Sequence, residues 1–207
     1  MQVLLIDDHP MLNAGIISIL ESTGIFTVCA QAQSLKDAVS FMEKACTPLS
    51  SSIPSLIILD LLLGDDNGME FLPILDSLCK NKKISKPPVL VCSALGDSFK
   101  IQTALKLGAA GFISKTSGKA ELLKAIDTIL RGKVYISDEV NAKLKETSSV
   151  YAKFSKREID VINLLKDNKT NKQISEELSI SLRTVENYIS KIYFKTGFSS
   201  REEIKKL

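Results

Sequence analysis

Four short apolar runs each end in a chemically active side chain. Val3-Leu4-Leu5-Ile6 leads into Asp7-Asp8, Leu56-Ile57-Ile58-Leu59 into Asp60, Val89-Leu90-Val91-Cys92 into Ser93, and Gly111-Phe112-Ile113-Ser114 into Lys115. Three carboxylates brought together repel one another unless a hard cation lies among them. Mg²⁺ suits that place, because it is usually held by one or two carboxylates with phosphate and water completing its shell. A lysine and a hydroxyl on the opposite side would hold phosphate oxygens. The set reads as an aspartate that accepts a phosphoryl group, provided one fold brings the four ends together.

The runs indicate which fold does so. Strand patterns at about 2–7, 25–31, 55–60, 88–93 and 110–114 alternate with helical patterns at about 11–22, 34–45, 68–79, 97–107 and 117–131. The strands are continuously apolar, as strands of a parallel sheet covered on both faces must be. Five such units predict an α/β, doubly wound, five-stranded parallel sheet. In such sheets ligands bind at the carboxyl ends of the strands, where the four active segments stop.

Charge separates the chain into two parts. Residues 1–136 hold 13 basic and 13 acidic side chains, whereas residues 137–207 hold 14 and 11, so the whole excess of +3 lies in the second part. A small positive excess fits a nucleic-acid partner. No run of 18 apolar residues exists, and the N-terminus enters a strand pattern without a basic segment or cleavage site. The expectation is a cytoplasmic protein with no membrane association. Cys29, Cys46, Cys79 and Cys92 are irregularly spaced, which predicts reduced and mostly buried thiols rather than a zinc site. His9, the single histidine, is expected beside the acidic residues and not as a phosphodonor. Ser117-Gly118-Lys119-Ala120 imitates the end of a phosphate-binding loop, but the required earlier glycine would fall at Ile113.

Residues 133–153 read as a linker. Val134-Tyr135-Ile136 forms a short extended piece, Asp138 to Glu146 a helix with Ser137 as its N-cap, and Thr147-Ser148-Ser149 a flexible break. The Ser/Pro-rich stretch 46–54 predicts a long surface loop, and the basic stretch 81–88 a solvated turn. Residues 154–207 are helical throughout. Ser155 and Glu158 form a capping-box pattern, Asn171 and Ser181 are placed to cap the next two helices, Gly197 ends the third, and Ser199 or Ser200 opens a fourth. Two helices joined by a tight turn, the second amphipathic, match a helix-turn-helix. At 100° per residue, Val185, Ile189 and Ile192 share one face, extended by Thr196. The opposite face carries Arg183, Thr184, Glu186, Asn187, Ser190, Lys191 and Phe194.

Residues 1–132 resemble a two-component receiver domain. The resemblance rests on Asp7-Asp8-His9-Pro10, Asp60 with Asn67-Gly68, Ser93-Ala94, Gly108 to Lys115, and the 22-residue spacing from Ser93 to Lys115. It implies a flavodoxin-like fold in which Asp60 takes a phosphoryl group from a sensor histidine kinase. It also implies that Asp8, Asp60 and the Leu62 carbonyl bind Mg²⁺ directly, with Asp7 acting through water. Lys115 would pair with Asp60 at rest and with a phosphoryl oxygen afterwards. Ser93 would bond a second oxygen, and Phe112 would be the switch aromatic that follows Ser93. The sequence departs from the family at Gly64 and Thr116, where proline is usual.

Residues 154–207 resemble the DNA-binding domain of NarL/LuxR-type regulators, an all-α four-helix unit. The matching stretches are Phe154 to Glu158, Asn171 to Ser181, Thr184 to Ile189 and Lys195-Thr196-Gly197. By that resemblance Lys172, Ser181, Arg183 and Thr184 contact phosphates of double-stranded DNA. Asn187, Ser190 and Lys191 approach base edges. Glu186, Tyr188 and Phe194 replace residues that are commonly basic. The expected protein is a response regulator whose active form is a homodimer. Two other readings stay open. One is a regulator that acts through protein contacts or without phosphorylation, motivated by Glu186 and the modest charge. The other is a Mg²⁺-dependent phosphohydrolase with an aspartyl-phosphate intermediate, opposed by Leu62, where such enzymes commonly carry a second aspartate.

Overall fold

The computed structural model describes residues 1–46, 53–64, 66–94, 98–151 and 153–205, with the backbone alone at residues 99 and 146–151. Most of the Ser/Pro-rich stretch, residues 47–52, lies outside the described residues. Two compact units are present, Met1–Leu144 and Lys145–Leu207.

The first unit begins with β1 (Gln2–Ile6), α1 (Pro10–Glu21), β2 (Thr27–Ala32), α2 (Leu35–Ala45) and β3 (Leu56–Leu59). A two-residue hairpin follows, β4 (Leu62–Leu63) with β5 (Asp66–Asn67), and then α3 (Phe71–Lys82), β6 (Val89–Ser93), α4 (Ser98–Lys106), β7 (Gly111–Ser114) and α5 (Lys119–Leu130). The unit closes with β8 (Tyr135–Ile136) and the start of α6 (Asp138–Tyr151). The strands form one parallel sheet in the order β2-β1-β3-β6-β7-β8.

Successive residues of a strand point to opposite faces, and both faces here are buried. Leu4, Ile6, Ile57, Leu59, Val89, Val91 and Phe112 enter the core beneath α2, α3 and α4. Val3, Leu5, Leu56, Ile58, Leu90, Cys92 and Ile113 enter the core beneath α1 and α5. Continuous apolar runs are therefore the sequence signature of this sheet.

The sheet has six strands rather than the expected five. The extended piece at Tyr135–Ile136 pairs with β7, because the Tyr135 and Ser137 N–H groups donate to the Ala110 and Phe112 carbonyls at 3.1 and 3.2 Å. The β7 edge is covered as a result. The helix expected over 68–79 is a 3-10 turn over Gly68–Glu70 followed by α3, and Asn67 caps the turn through the Met69 N–H. Ser137 caps α6 as expected. The helix then continues through Thr147-Ser148-Ser149 instead of breaking there. Val140 at 0% exposure anchors its first turn in the core. Once nucleated, a helix extends at only a few tenths of a kcal/mol of penalty per Ser or Thr, roughly.

The second unit holds the rest of α6, then α7 (Lys156–Lys166), α8 (Asn171–Glu177), α9 (Leu182–Thr196) and α10 (Arg201–Ile204) around a core that includes Val161, Ile162, Ile174, Val185, Ile192 and Ile204. Ser155 with Glu158 caps α7 and Ser181 caps α9, as the sequence predicts. The cap of α8 is Thr170 with Gln173, not Asn171. Asn171 is the first helical residue, and its side chain accepts from the Arg201 guanidinium. Gly197 ends α9 at φ 75°, a left-handed position that favours glycine.

Glu158 ties this unit together. Its carboxylate is 3% exposed, accepts from the Ser155 N–H at 2.6 Å and meets Lys195 Nζ at 2.7 Å. Burial pushes its pKa up, but the Lys195 ammonium and the Ser155 hydrogen bonds outweigh burial and hold it below the ordinary value of 4.5. A carboxyl depressed by folding contributes stability above its unfolded pKa and loses it as pH falls through the folded one. Amide hydrogen exchange along α7 and α9 should therefore be faster in Glu158→Gln than in the wild type at neutral pH. That gap should close below the glutamate range. A gap of the same size at both pH values would contradict the assignment.

Candidate functional site

The sheet ladder carries the active residues to its carboxyl edge. The Asp7 N–H donates to the Ala32 carbonyl at 3.0 Å, Asp60 to Ile6 at 2.8 Å, and Lys115 to Ser93 at 2.9 Å. Asp7, Asp60 and Lys115 sit one step beyond their strands, Asp8 follows Asp7, and Ser93 is the last residue of β6, so the five gather in one pocket.

Asp60 is at the centre, 2% exposed. The Ser93 hydroxyl donates to its Oδ1 at 2.6 Å, and Lys115 Nζ lies 2.7 Å from its Oδ2. Lys115 also meets Asp7 Oδ2 at 2.8 Å. Burial works against the Lys115 ammonium, yet Asp60 and Asp7 outweigh it and hold its pKa above the ordinary lysine value. Lys115 is thus a fixed cation between two buried carboxylates.

One cation does not balance three carboxylates. Asp7, Asp8 and Asp60, with His9, each place a ligand atom within 4.8 Å of the others. Asp8 Oδ1 and Asp60 Oδ2 are buried and make no aligned hydrogen bond. Each has only a close contact to a nitrogen, to His9 Nδ1 at 2.7 Å and to Lys115 Nζ at 2.7 Å. Oxygen-only carboxylates with unused lone pairs, clustered at this spacing, fit a hard divalent cation such as Mg²⁺. Leu62, two residues beyond Asp60, opens the β4–β5 hairpin with its side chain 51% exposed.

Three further residues shape the pocket. His9, expected beside the acids, is in contact with them. Its N–H donates to Asp7 Oδ1 at 2.8 Å, and its Nδ1 is 3.0 Å from that oxygen and 3.2 Å from Lys115 Nζ. Asn13, buried on α1, donates to the Asp7 carbonyl at 2.8 Å and was not singled out in the sequence. The signal was its position four residues after His9, on the inward face of α1. Gly64 stands at φ 58° and donates its N–H to Asp8 Oδ2 at 2.8 Å, so a residue notable for replacing proline positions an acid. The Lys115–Thr116 peptide is trans, and the Thr116 N–H donates to the Ser114 hydroxyl at 3.1 Å. Phe112 is 1% exposed, packed in the core beneath α2, α3 and α4. Cys92, next to Ser93, has its thiol pushed up to about 12 by burial. All four cysteines are free thiols and three are buried.

Gly68 sets the Asp60 backbone. A Cβ there would stand 2.2 Å from the Asp60 carbonyl oxygen and 3.1 Å from the Leu61 Cα. Both are backbone atoms, so the strand end itself would have to move. Gly68→Ala is expected to destabilise the first unit by about 1–3 kcal/mol, the usual cost of overpacking, and to weaken metal binding with it. Thermal unfolding with and without Mg²⁺ checks this, and an unchanged melting temperature would contradict it.

In the second unit, Val185, Ile189 and Ile192 are buried, and the opposite face of α9 is open. Arg183, Asn187, Ser190 and Lys191 are exposed, as is Lys172 on α8. Ser181 and Thr184 are engaged in the cap, with their hydroxyls 2.8 Å apart. Lys191 Nζ lies 5.9 Å from the Tyr188 ring.

Comparison with known proteins gives both units a family. The response regulator receiver domain family matches residues 3–127, and the bacterial regulatory proteins of the luxR family match residues 152–206. The chain is 29% identical over 209 residues to the transcriptional regulatory protein LiaR of Bacillus subtilis, spanning 98% of this chain and 93% of LiaR. It is 30% identical over 209 residues to the nitrate/nitrite response regulator protein NarL of Escherichia coli, spanning 97% and 91%. Among solved structures, the response regulator ChrA of a heme-sensing two-component system is similar at a TM-score of 0.55 and 26% identity, over 99% of this chain and 94% of ChrA. RcsB, solved as two dimers bound to two parallel DNAs, shares the fold at a TM-score of 0.67 and 19% identity, over 100% and 96%.

A receiver domain followed by a LuxR-type helix-turn-helix domain defines a DNA-binding regulator rather than an enzyme acting on a substrate. The chain belongs to the NarL/LuxR-type response regulators of two-component systems. Among the described residues, no helix is long and apolar enough to cross a membrane.

Proposed function

We propose that a sensor histidine kinase phosphorylates Asp60 and that this controls sequence-specific DNA binding by the second unit, and so transcription. The observation that carries the reading is the Asp60 carboxylate itself. It is buried, held between the Ser93 hydroxyl and the Lys115 ammonium, and set against two further carboxylates. The reading implies that this exchange takes place in the cytoplasm.

The chemistry needs little beyond positioning and charge stabilisation. An oxygen of Asp60 attacks phosphorus on the kinase phosphohistidine. The new P–O bond forms as the P–N bond breaks, and the imidazole leaves as the neutral ring after taking a proton. Asp8, Asp60 and the Leu62 carbonyl would hold Mg²⁺, with Asp7 acting through water. When bound, the ion neutralises phosphoryl oxygens. Lys115 exchanges its contact with Asp60 for one with a phosphoryl oxygen, and Ser93 donates to another instead of to Asp60. Phe112 follows Ser93, which shifts a pre-existing equilibrium toward a DNA-binding homodimer. On the DNA, Lys172, Ser181, Arg183 and Thr184 contact phosphates, while Asn187, Ser190 and Lys191 read base edges.

Phosphoryl transfer from an ATP-charged sensor kinase tests the first half. The expected product is a Mg²⁺-dependent acyl phosphate, cleaved by hydroxylamine and mapped to residue 60 by mass spectrometry. Label on another residue, or label indifferent to Mg²⁺, would overturn the reading.

A further inference from the structure

The face of α9 opposite the core contains one residue that its polar neighbours do not explain. Phe194 is 92% exposed, while Val185, Ile189 and Ile192 on the same helix are buried and Tyr188 and Tyr193 pack partly on the core. Among the described residues, no other aromatic side chain stands so far into solvent. Phe194 is seven residues past Asn187, which at 100° per residue places it about 20° from Asn187 around the helix. Around the helix it therefore lies inside the arc spanned by Arg183, Ser190 and Lys191, near the C-terminal end of the open face. Along the axis it is about 10 Å beyond Asn187, close to three base-pair steps.

We propose that Phe194 reads thymine, packing against the C5 methyl group in the major groove and fixing an A·T pair about three steps from the pair that Asn187 contacts. The inference rests on α9 entering the groove, the reading proposed above. A phenyl ring neither donates nor accepts a hydrogen bond from a guanine, cytosine or adenine edge. The thymine methyl is the apolar feature of the major-groove edge, and contact with it is one that a phenylalanine can make. The flanking groups decide the occupant. Lys191 stands one turn before the ring and Arg183 lies further back on the same open face, so a second copy docked here would bring like charges together. A single ring of about 150–250 Å² also falls far short of the roughly 800 Å² per partner of a stable protein interface. A polyanion with methyl groups on its groove floor suits both the charges and the ring.

The test uses the full-length chain with Mg²⁺ and acetyl phosphate. Duplexes are first enriched from a random pool by the wild type. Each thymine of the enriched site is then replaced in turn by uracil, which removes the methyl group alone. Wild type is expected to lose about fourfold in affinity at one or two positions, the effect of uncovering one methyl. Phe194→Ala should bind the thymine and uracil duplexes alike at those positions, and Phe194→Leu should keep part of the discrimination. Uracil indifference of the wild type at every position would overturn the proposal, as would undiminished sensitivity in Phe194→Ala. A Phe194→Ala protein altered in dimer formation by sedimentation, with no uracil effect, would assign the ring to a second copy instead. Failure to enrich any duplex would remove the groove reading itself, and this inference with it.

Discussion

Asp60→Asn is expected to abolish phosphoryl incorporation from both a sensor kinase and acetyl phosphate, to the background of the assay. The amide is a poor nucleophile, and Asp60 is the carboxylate held between the Ser93 hydroxyl and the Lys115 ammonium beside two further carboxylates. The variant should nevertheless fold. Lys115 keeps its 2.8 Å contact with Asp7, and the Ser93 hydroxyl keeps an oxygen to donate to. Removing one of three crowded carboxylates should even raise the melting temperature in EDTA, because that repulsion is present whenever no divalent ion is bound. Loss of labelling with a raised or unchanged melting temperature supports the assignment. Residual Mg²⁺-dependent labelling in Asp60→Asn would place the acceptor elsewhere.

Lys115→Ala should move stability in the opposite direction. It leaves Asp60 and Asp7, 1% and 3% exposed at their side chains, without their shared cation. Removing one member of a buried ion pair typically costs about 3–5 kcal/mol, mostly from the charge left behind. Lys115 is itself 16% exposed, so the lower end of that range applies. In EDTA the first unit should melt on the order of 10 °C lower than the wild type. Mg²⁺ should recover a large part of the loss, since a ligand that binds only the native state stabilises it. Equal melting of wild type and variant in EDTA would mean that Lys115 does not hold the carboxylates together.

The signs of these two effects depend on a pocket that was largely legible in the sequence. The period-2 alternation of Leu4 and Leu5, or Ile57 and Ile58, between two buried faces appears in the chain as unbroken apolar runs. A side chain directly after such a run must lie at the strand's carboxyl end. Asp7, Asp60, Ser93 and Lys115 were found that way. What escaped was set by three-dimensional approach rather than residue type. Gly64 supplies an N–H to Asp8, and Gly68 lies against the Asp60 carbonyl. Asn13 braces the Asp7 backbone from a helix that looks merely amphipathic. None of these contacts has a sequence period. In the second unit, Thr170 displaced Asn171 as a cap because both residue types can cap, and only the Gln173 side chain three positions on selects between them. The run Thr147-Ser148-Ser149 stayed helical because weak local preferences give way once a helix is anchored by a buried residue such as Val140.

The central claim, that the state of Asp60 governs DNA binding by the second unit, is tested most directly by one binding experiment. Affinity for an enriched duplex is measured for wild type and Asp60→Asn, each with and without Mg²⁺ and acetyl phosphate, at several salt concentrations. The account predicts tighter, salt-sensitive binding in treated wild type alone, with a steeper salt slope as more cationic contacts to phosphates form. Equal binding in all four samples would contradict it, because phosphorylation would then not gate the DNA. Binding in none of them would point to a regulator that works through protein contacts.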